Sequence, residues 1–319
     1  MSELLRQIDA RTKLAGNNKL EILLFSLGTD HARKETFGIN VFKVREVMRT
    51  PEITRAPEMP PSVEGMVSLR GNLVPVIDLA KYAGMEVEAR PEIMIVTEYN
   101  GHTQGFLVEA VDTILRLDWS SMRVPPDMLV KQTGGFVTAV TEVADGRLVM
   151  MLDVERILSE TTRYDDEFSF HTLKPLDLGE RTVLFADDSS VARKQIVRTL
   201  DALQVRHVST INGHQAWREL EKAATYAEAN RCKVSEIIHA VLTDVEMPEM
   251  DGFILTRKIK SDPRFADIPV IMHSSLSGTQ NQHLGLSVGV DEYVSKFEPQ
   301  RLAEALTRRL AAVAAPVEA

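Results

Sequence analysis

The sequence predicts a multidomain protein: an all-β amino-terminal half closed into small barrels, then an α/β carboxy-terminal half built on a doubly wound, five-stranded parallel sheet. Three observations predict it. The chain has 319 residues, about twice what one ordinary domain holds. Its hydrophobic pattern is strand-like before residue 160 and alternates between strand and helix after residue 180. Between the two, Ser159 to Glu180 carries several charges, Pro175 and no sustained periodicity, as a linker does. These limits place the boundary between two domains at that linker, 161–179.

The first half offers short runs of strand character: LEILLFSLG, FGINVFKV, MVSLRG, NLVPVIDL, EIMIVTEY, GFLVEAV, TILRL, GFVTAVTEV and RLVMMLDV. Tight turns are expected at Gly71-Asn72, Asn100-Gly101 and Asp145-Gly146, residue types that tolerate positive φ. Hairpins imply antiparallel pairing, and closure into small barrels removes exposed edges. Helices are expected to be few and short, with candidates at Val44–Met48 and at Val154–Glu160, the latter capped by Asp153.

The second half reads as five βα units. TVLFA leads into a helix from Ser190 to Leu203, VRHVST into one at His214–Asn230, and HAVLTD into one at Phe253–Ser261. PVIMHS is followed by a helix near Thr279–Leu286, and EYVSK by a last helix from Pro299. Such alternation makes a parallel sheet with helices on both faces, whose ligands bind outside the carboxyl ends of the strands.

Composition removes several function classes. Residues 1–160 carry 18 basic and 23 acidic residues, and 161–319 carry 19 and 23. Neither half has the basic face that nucleic acid requires. A single cysteine, Cys232, permits no intrachain disulfide and points to a reducing compartment, the cytoplasm. No apolar run approaches the ~18 residues of a membrane span, and the amino terminus has no secretory apolar stretch, so no membrane insertion is expected.

The polar residues of the second half gather at the strand ends. The first strand ends in Asp187-Asp188, the third in Asp244, the fourth in Ser274-Ser275 and the fifth in Lys296. Three converging carboxylates repel one another unless a divalent cation neutralises them, and Mg²⁺ takes oxygen ligands while leaving room for a phosphoryl oxygen. Lys296 and Ser274 then suit phosphoryl oxygens, with Asp244 as the nucleophile of an aspartyl phosphate. Helix capping alone would account for Asp187 and Asp188 but not for the other three strand ends.

Asp187-Asp188, the run D-V-E-M-P-E-M-D-G from Asp244 to Gly252, Ser274 and Lys296 in this order resemble the receiver domain of two-component response regulators, over about residues 180–312. The resemblance implies that Asp244 accepts phosphate from a phosphohistidine and that Asp187, Asp188, Asp244 and the Glu246 carbonyl hold Mg²⁺. Ser274 and Lys296 would contact the phosphoryl group, and Tyr293 would report the switch. Two positions depart from the pattern: Phe297 replaces the usual proline after the lysine, with Pro299 two places on, and His273-Ser274-Ser275 replaces the commoner Thr-Ala pairing.

In the first half, F-G-I-N-V-F-K-V-R-E-V and then S-L-R-G-N-L-V-P-V-I-D-L resemble the CheW-type coupling domain of bacterial chemotaxis, over roughly residues 15–160. The resemblance implies two small five-stranded barrels packed together, in a family that bridges chemoreceptors to the histidine kinase CheA. Its working surface falls here on Arg70, Gly71 and Glu46, although an exposed Arg–Glu pair is in itself an ordinary feature of a β surface. A coupling domain followed by a receiver is the arrangement of the CheV family.

The resemblance implies a phosphorylation-regulated adaptor at membrane-associated receptor clusters, with catalysis residing in its partner. A phosphate sink that drains the kinase without altering coupling shares every motif. A Mg²⁺-dependent phosphohydrolase is disfavoured, because the D-x-D pair such enzymes carry after the first strand is absent. The G-x-G-x-x-G and P-loop patterns are absent too.

Overall fold

A computed structural model of the chain describes residues 19–27, 35–55, 57–85, 91–99, 102–161, 173–176, 179–275, 285–296 and 298–314. The chain divides into two compact units, Leu20–Tyr164 and a second that contains Asp165–Ala319. Most of the expected linker, 161–179, lies outside the described residues.

Among the described residues the first unit holds ten strands: β1 Lys19–Ser26, β2 Thr36–Asn40, β3 Val44–Arg49, β4 Val63–Leu69, β5 Asn72–Asp78, β6 Ile93–Tyr99, β7 His102–Val108, β8 Ala110–Asp118, β9 Val137–Glu142 and β10 Leu148–Leu152. They form two five-stranded sheets of order β8-β1-β2-β10-β9 and β3-β6-β7-β5-β4. The pairs β1–β2, β4–β5, β6–β7 and β9–β10 are antiparallel, as short connections require. One parallel pair completes each sheet, β2–β10 in one and β5–β7 in the other.

Each sheet closes on itself by the same device. Beyond its end strand β3, the chain bridges Thr54 to Met66 on the opposite end strand β4. Beyond β8, Arg123 bridges to Val140 on β9, with N···O distances of 2.8 and 2.9 Å. These bridges satisfy edge groups that would otherwise template further pairing.

Alternation along the strands then sorts the side chains. Leu20, Ile22 and Leu24 of β1 fill the interior of the first barrel with Val149 and Met151. Leu23 and Phe25 of the same strand point into a core shared by both sheets, with Ile77, Ile95, Phe106 and Leu152. The interior of the second barrel is Val67, Val74, Val76, Met94, Val96 and Leu107. Three short helices border these cores, α1 Leu79–Tyr82, α2 Asp127–Gln132 and α3 Val154–Thr161. As expected, Asp153 caps α3 through the N–H of Arg156.

Two local expectations are corrected. Val44–Met48 is not a helix: it is most of β3, paired with β6. Apolar residues at 44, 47 and 48 have helical spacing, yet Val44 and Met48 pack inward while Val47 stays 43% exposed, which is strand alternation. The first tight turn is centred on Arg70-Gly71 rather than Gly71-Asn72, since Leu69 pairs with Asn72. Arg70 (φ 52°) and Gly71 (φ 85°) both adopt the left-handed conformation that a two-residue hairpin turn demands. Asn100-Gly101 lies outside the described residues, between strands whose ladder ends at Tyr99 opposite His102.

The second unit contains β11 Thr182–Ala186, α4 Ser190–Ala202, β12 Arg206–Thr210, α5 Gly213–Asn230, β13 Ala240–Thr243, α6 Gly252–Ser261, β14 Val270–Ser274, β15 Glu292–Ser295 and α7 Pro299–Ala314. The sheet order is β12-β11-β13-β14-β15, and every pair is parallel. The first part of the helix expected near Thr279–Leu286 lies outside the described residues. Val183 and Phe185 pack toward α4 and α7, while Leu184 and Ala186 pack toward α5 and α6. Strand order reverses between β11 and β13, so the crevice at their carboxyl ends is the natural ligand position.

No helix among the described residues is long and apolar enough to cross a membrane.

Candidate functional site

Every acidic and phosphate-compatible residue singled out in the second half arrives at that crevice. Asp187 follows β11, Asp244 follows β13, Ser274 ends β14 and Lys296 follows β15. Lys296 is completely buried, and its Nζ lies 2.9 Å from Asp187 Oδ2 and 2.9 Å from Asp244 Oδ2. A lysine is held charged in such a place only by close carboxylates. The second oxygens are fixed by backbone donors: the Ser189 N–H donates to Asp187 Oδ1 at 2.9 Å, and the Val245 N–H to Asp244 Oδ1 at 2.7 Å.

Carboxylate oxygens of Asp187, Asp188 and Asp244 lie within 4.8 Å of one another. With Lys296 included, four formal charges leave the cluster at −2, which a divalent cation would balance. An all-oxygen donor set with two carboxylates already oriented suits a hard cation such as Mg²⁺ and would suit a soft metal poorly. The cluster therefore fits the cation that its chemistry calls for.

Ser274 is buried, and its hydroxyl is hydrogen-bonded to that of half-buried Tyr293. Burial holds the Tyr293 phenol well above its usual range, reinforced by the charges of Asp244 and Glu246 and opposed by Ser274 and Lys296. Tyr293 is thus a neutral hydroxyl coupled electrostatically to the acidic cluster. Glu246, two residues past Asp244, lies close enough for its carboxylate to act on that phenol. Of the departures, Phe297 lies outside the described residues, His273 is buried on β14 opposite Val294, and Pro299 opens α7.

Several supporting residues carry no sequence signal. Thr243 Oγ1 donates to the Asp244 carbonyl at 2.9 Å. Arg193, in the first turns of α4, donates from Nη1 to the backbone oxygens of both Asp187 and Asp188 at 2.8 Å. Gly252 starts α6 against β13: a Cβ there would stand 1.9 Å from the Asp244 carbonyl oxygen. Gly252→Ala is therefore expected to destabilise this unit by roughly 2–3 kcal/mol, through a forced backbone shift. Urea unfolding followed by helical circular dichroism checks it; an unchanged midpoint would contradict the packing.

Asp251 caps α6 by accepting from the Ile254 N–H at 2.7 Å, yet burial pushes its carboxyl up to about 6. The native state thus binds this proton more tightly than the unfolded chain does, and stability falls as pH rises from about 4 to about 6, by about 3 kcal/mol in all. Asp251→Asn keeps the cap oxygen and removes the charge. It is expected to exceed the native chain in stability at pH 7, with the advantage fading to nothing near pH 4. A pH-independent difference between the two unfolding midpoints would overturn this.

In the first unit, the Arg70-Gly71 turn and Glu46 on β3 meet at one mouth of the second barrel. Arg70 Nη2 donates to Glu46 Oε2 at 2.9 Å, and both side chains remain accessible. A shallow depression there is lined by Arg45, Glu46, Leu69 and Arg70, with Val74 and Val96 also lining it. Beside the turn, Leu73 is 72% exposed, a surface apolar residue that the strand pattern did not single out. The left-handed conformation is unfavourable for arginine by ~1–2 kcal/mol.

Residues 21–162 match the model of the CheW-like domain, and residues 183–307 match that of the response regulator receiver domain. The chemotaxis protein CheV1 of Helicobacter pylori is 30% identical, over 94% of this chain and 96% of its own length. CheV3 of the same organism is 31% identical, over 86% of this chain and 88% of its own. Among solved structures, the scaffolding protein TtCheW from Thermoanaerobacter tengcongensis is 31% identical, covering 42% of this chain and 89% of that one, with a TM-score of 0.38.

Proposed function

The chain belongs to the CheV family of chemotaxis coupling proteins, a CheW-like domain joined to a receiver domain, and from that premise we propose that it is a phosphorylation-regulated adaptor. The coupling half, 15–160, links chemoreceptors to the histidine kinase CheA through Arg70, Gly71 and Glu46. The receiver half, 180–312, modulates that link when Asp244 is phosphorylated. The protein works in the cytoplasm at membrane-associated receptor clusters, and the enzyme is its partner.

The observation that carries the regulatory half is the buried Lys296, shared at 2.9 Å between Asp187 and Asp244, beside a Ser274–Tyr293 hydroxyl pair. Asp244 is the phospho-acceptor. Asp187, Asp188, Asp244 and the Glu246 carbonyl are the residues that would hold Mg²⁺, which when bound neutralises the carboxylates and the incoming phosphoryl group. A phosphoryl group adds ~1.5–2 negative charges. It competes for the Lys296 ammonium and for the Ser274 hydroxyl, and the Ser274–Tyr293 bond is given up. Tyr293 then repositions on β15, so that a charge change at the crevice becomes a shape change at the sheet edge.

Carrying such a switch from mostly off to mostly on takes ~5.5 kcal/mol of differential stabilisation. Several charge-assisted bonds supply that, and one does not. The test uses cells in which this protein is the sole coupler. Kinase output after a stimulus is expected to recover in wild type and to recover abnormally with Asp244→Asn. Identical recovery would remove phosphate from the account.

A further inference from the structure

We propose that Arg193 is a positioning residue for the acidic pair, holding Asp187 and Asp188 ready for Mg²⁺. The proposal rests on the reading of that cluster as a Mg²⁺ site. The ladder of β11 ends at Ala186, whose carbonyl accepts from the Asp244 N–H. The helical bonds of α4 begin at Ser189, whose carbonyl accepts from the Arg193 N–H at 3.0 Å. The carbonyls of Asp187 and Asp188 lie in the chain between these two systems. A single nitrogen, Arg193 Nη1, donates to both at 2.8 Å.

That shared donor fixes two consecutive peptide planes. With the Asp187 carboxylate pinned by the Ser189 N–H and Lys296, and both peptide planes held by Arg193, the backbone that carries the pair has little freedom left to lose when a cation arrives. Partners that orient metal ligands in this way typically change affinity 10–100-fold when removed.

Charge alone predicts the opposite sign. A guanidinium so near the cluster repels a second cation, so deleting it would tighten Mg²⁺ binding if electrostatics governed. The sign of the effect therefore separates positioning from charge.

The experiment is calorimetric titration of the full chain with MgCl₂. Arg193→Met, without charge or donor, is expected to bind Mg²⁺ about tenfold or more weakly. Arg193→Gln, which keeps a shorter donor, is expected to fall between it and wild type, and carries the same test should the methionine variant not fold. Labelling by a small-molecule phosphodonor is expected to need correspondingly more Mg²⁺ in the variants, while reaching the wild-type plateau at saturation. Unchanged or tighter Mg²⁺ binding overturns the proposal, and so does a plateau that stays low, which signals general damage instead. A wild-type chain that binds no Mg²⁺ overturns the site reading itself, and is told apart from the other failures because it occurs before any variant is compared.

Discussion

Asp244→Asn protein is expected to take up no phosphoryl group from a small-molecule phosphodonor with Mg²⁺, under conditions where the wild-type chain takes up one. The proposed acceptor, Asp244, holds Lys296 at 2.9 Å through Oδ2, and its other oxygen accepts from the Val245 N–H. An amide oxygen in its place lacks the charge and nucleophilicity to form an acyl phosphate. The substitution does not strand the buried lysine, since Asp187 remains 2.9 Å from it. Removing one of three mutually repelling carboxylates also relieves the metal-free cluster. In the absence of Mg²⁺, Asp244→Asn is therefore expected to be no less stable than wild type, so loss of labelling in a folded chain is attributable to chemistry. Intact-mass measurement reads the outcome; stoichiometric labelling of Asp244→Asn would move the acceptor elsewhere.

The second large effect is expected at Arg70. Arg70→Gly removes a side chain from a left-handed position that glycine occupies without strain. It also removes an exposed ion pair to Glu46 worth only ~0–1 kcal/mol. Folding stability is thus expected to stay level or to rise by up to ~1 kcal/mol. Binding to the kinase and receptors is expected to fall by roughly 30-fold, the scale of an arginine at the centre of an interface. Stability and binding moving in opposite directions would mark Arg70 as retained for recognition. Undiminished binding by Arg70→Gly would reduce the Arg70–Glu46 pair to a surface feature.

The receiver crevice was legible in the sequence because its chemistry sits at strand ends. Once TVLFA, HAVLTD, PVIMHS and EYVSK are read as parallel strands, Asp187, Asp244, Ser274 and Lys296 must share an edge. What the pattern did not reveal is the support. Arg193 acts backward along the chain on two carbonyls, and hydrogen bonds to backbone leave no compositional trace. Gly252 is recognisable as a glycine but not as the one whose missing Cβ lets α6 close on Asp244.

In the first half, strands were legible and their partners were not. The parallel pairs β2–β10 and β5–β7 join segments distant in sequence, and no local period encodes them. The Thr54 and Arg123 bridges that close the barrels are single pairs with no strand pattern of their own. Over 44–48, apolar spacing of three and four residues fits a helix as well as a strand with one residue turned outward. Burial of β3 against β6 decided between them.

In the proposed function one chain joins receptor to kinase, and phosphate on its receiver half alters the joint. Co-sedimentation of the full-length protein with receptor-containing membranes and the histidine kinase, with and without Mg²⁺ and a phosphodonor, tests it most directly. The protein is expected to pellet with both partners, to support kinase activation, and to change in retention or activation when the phosphodonor is added. Protein that stays in the supernatant while Asp244 is phosphorylated would contradict it, leaving a receiver whose β-rich companion serves some other partner.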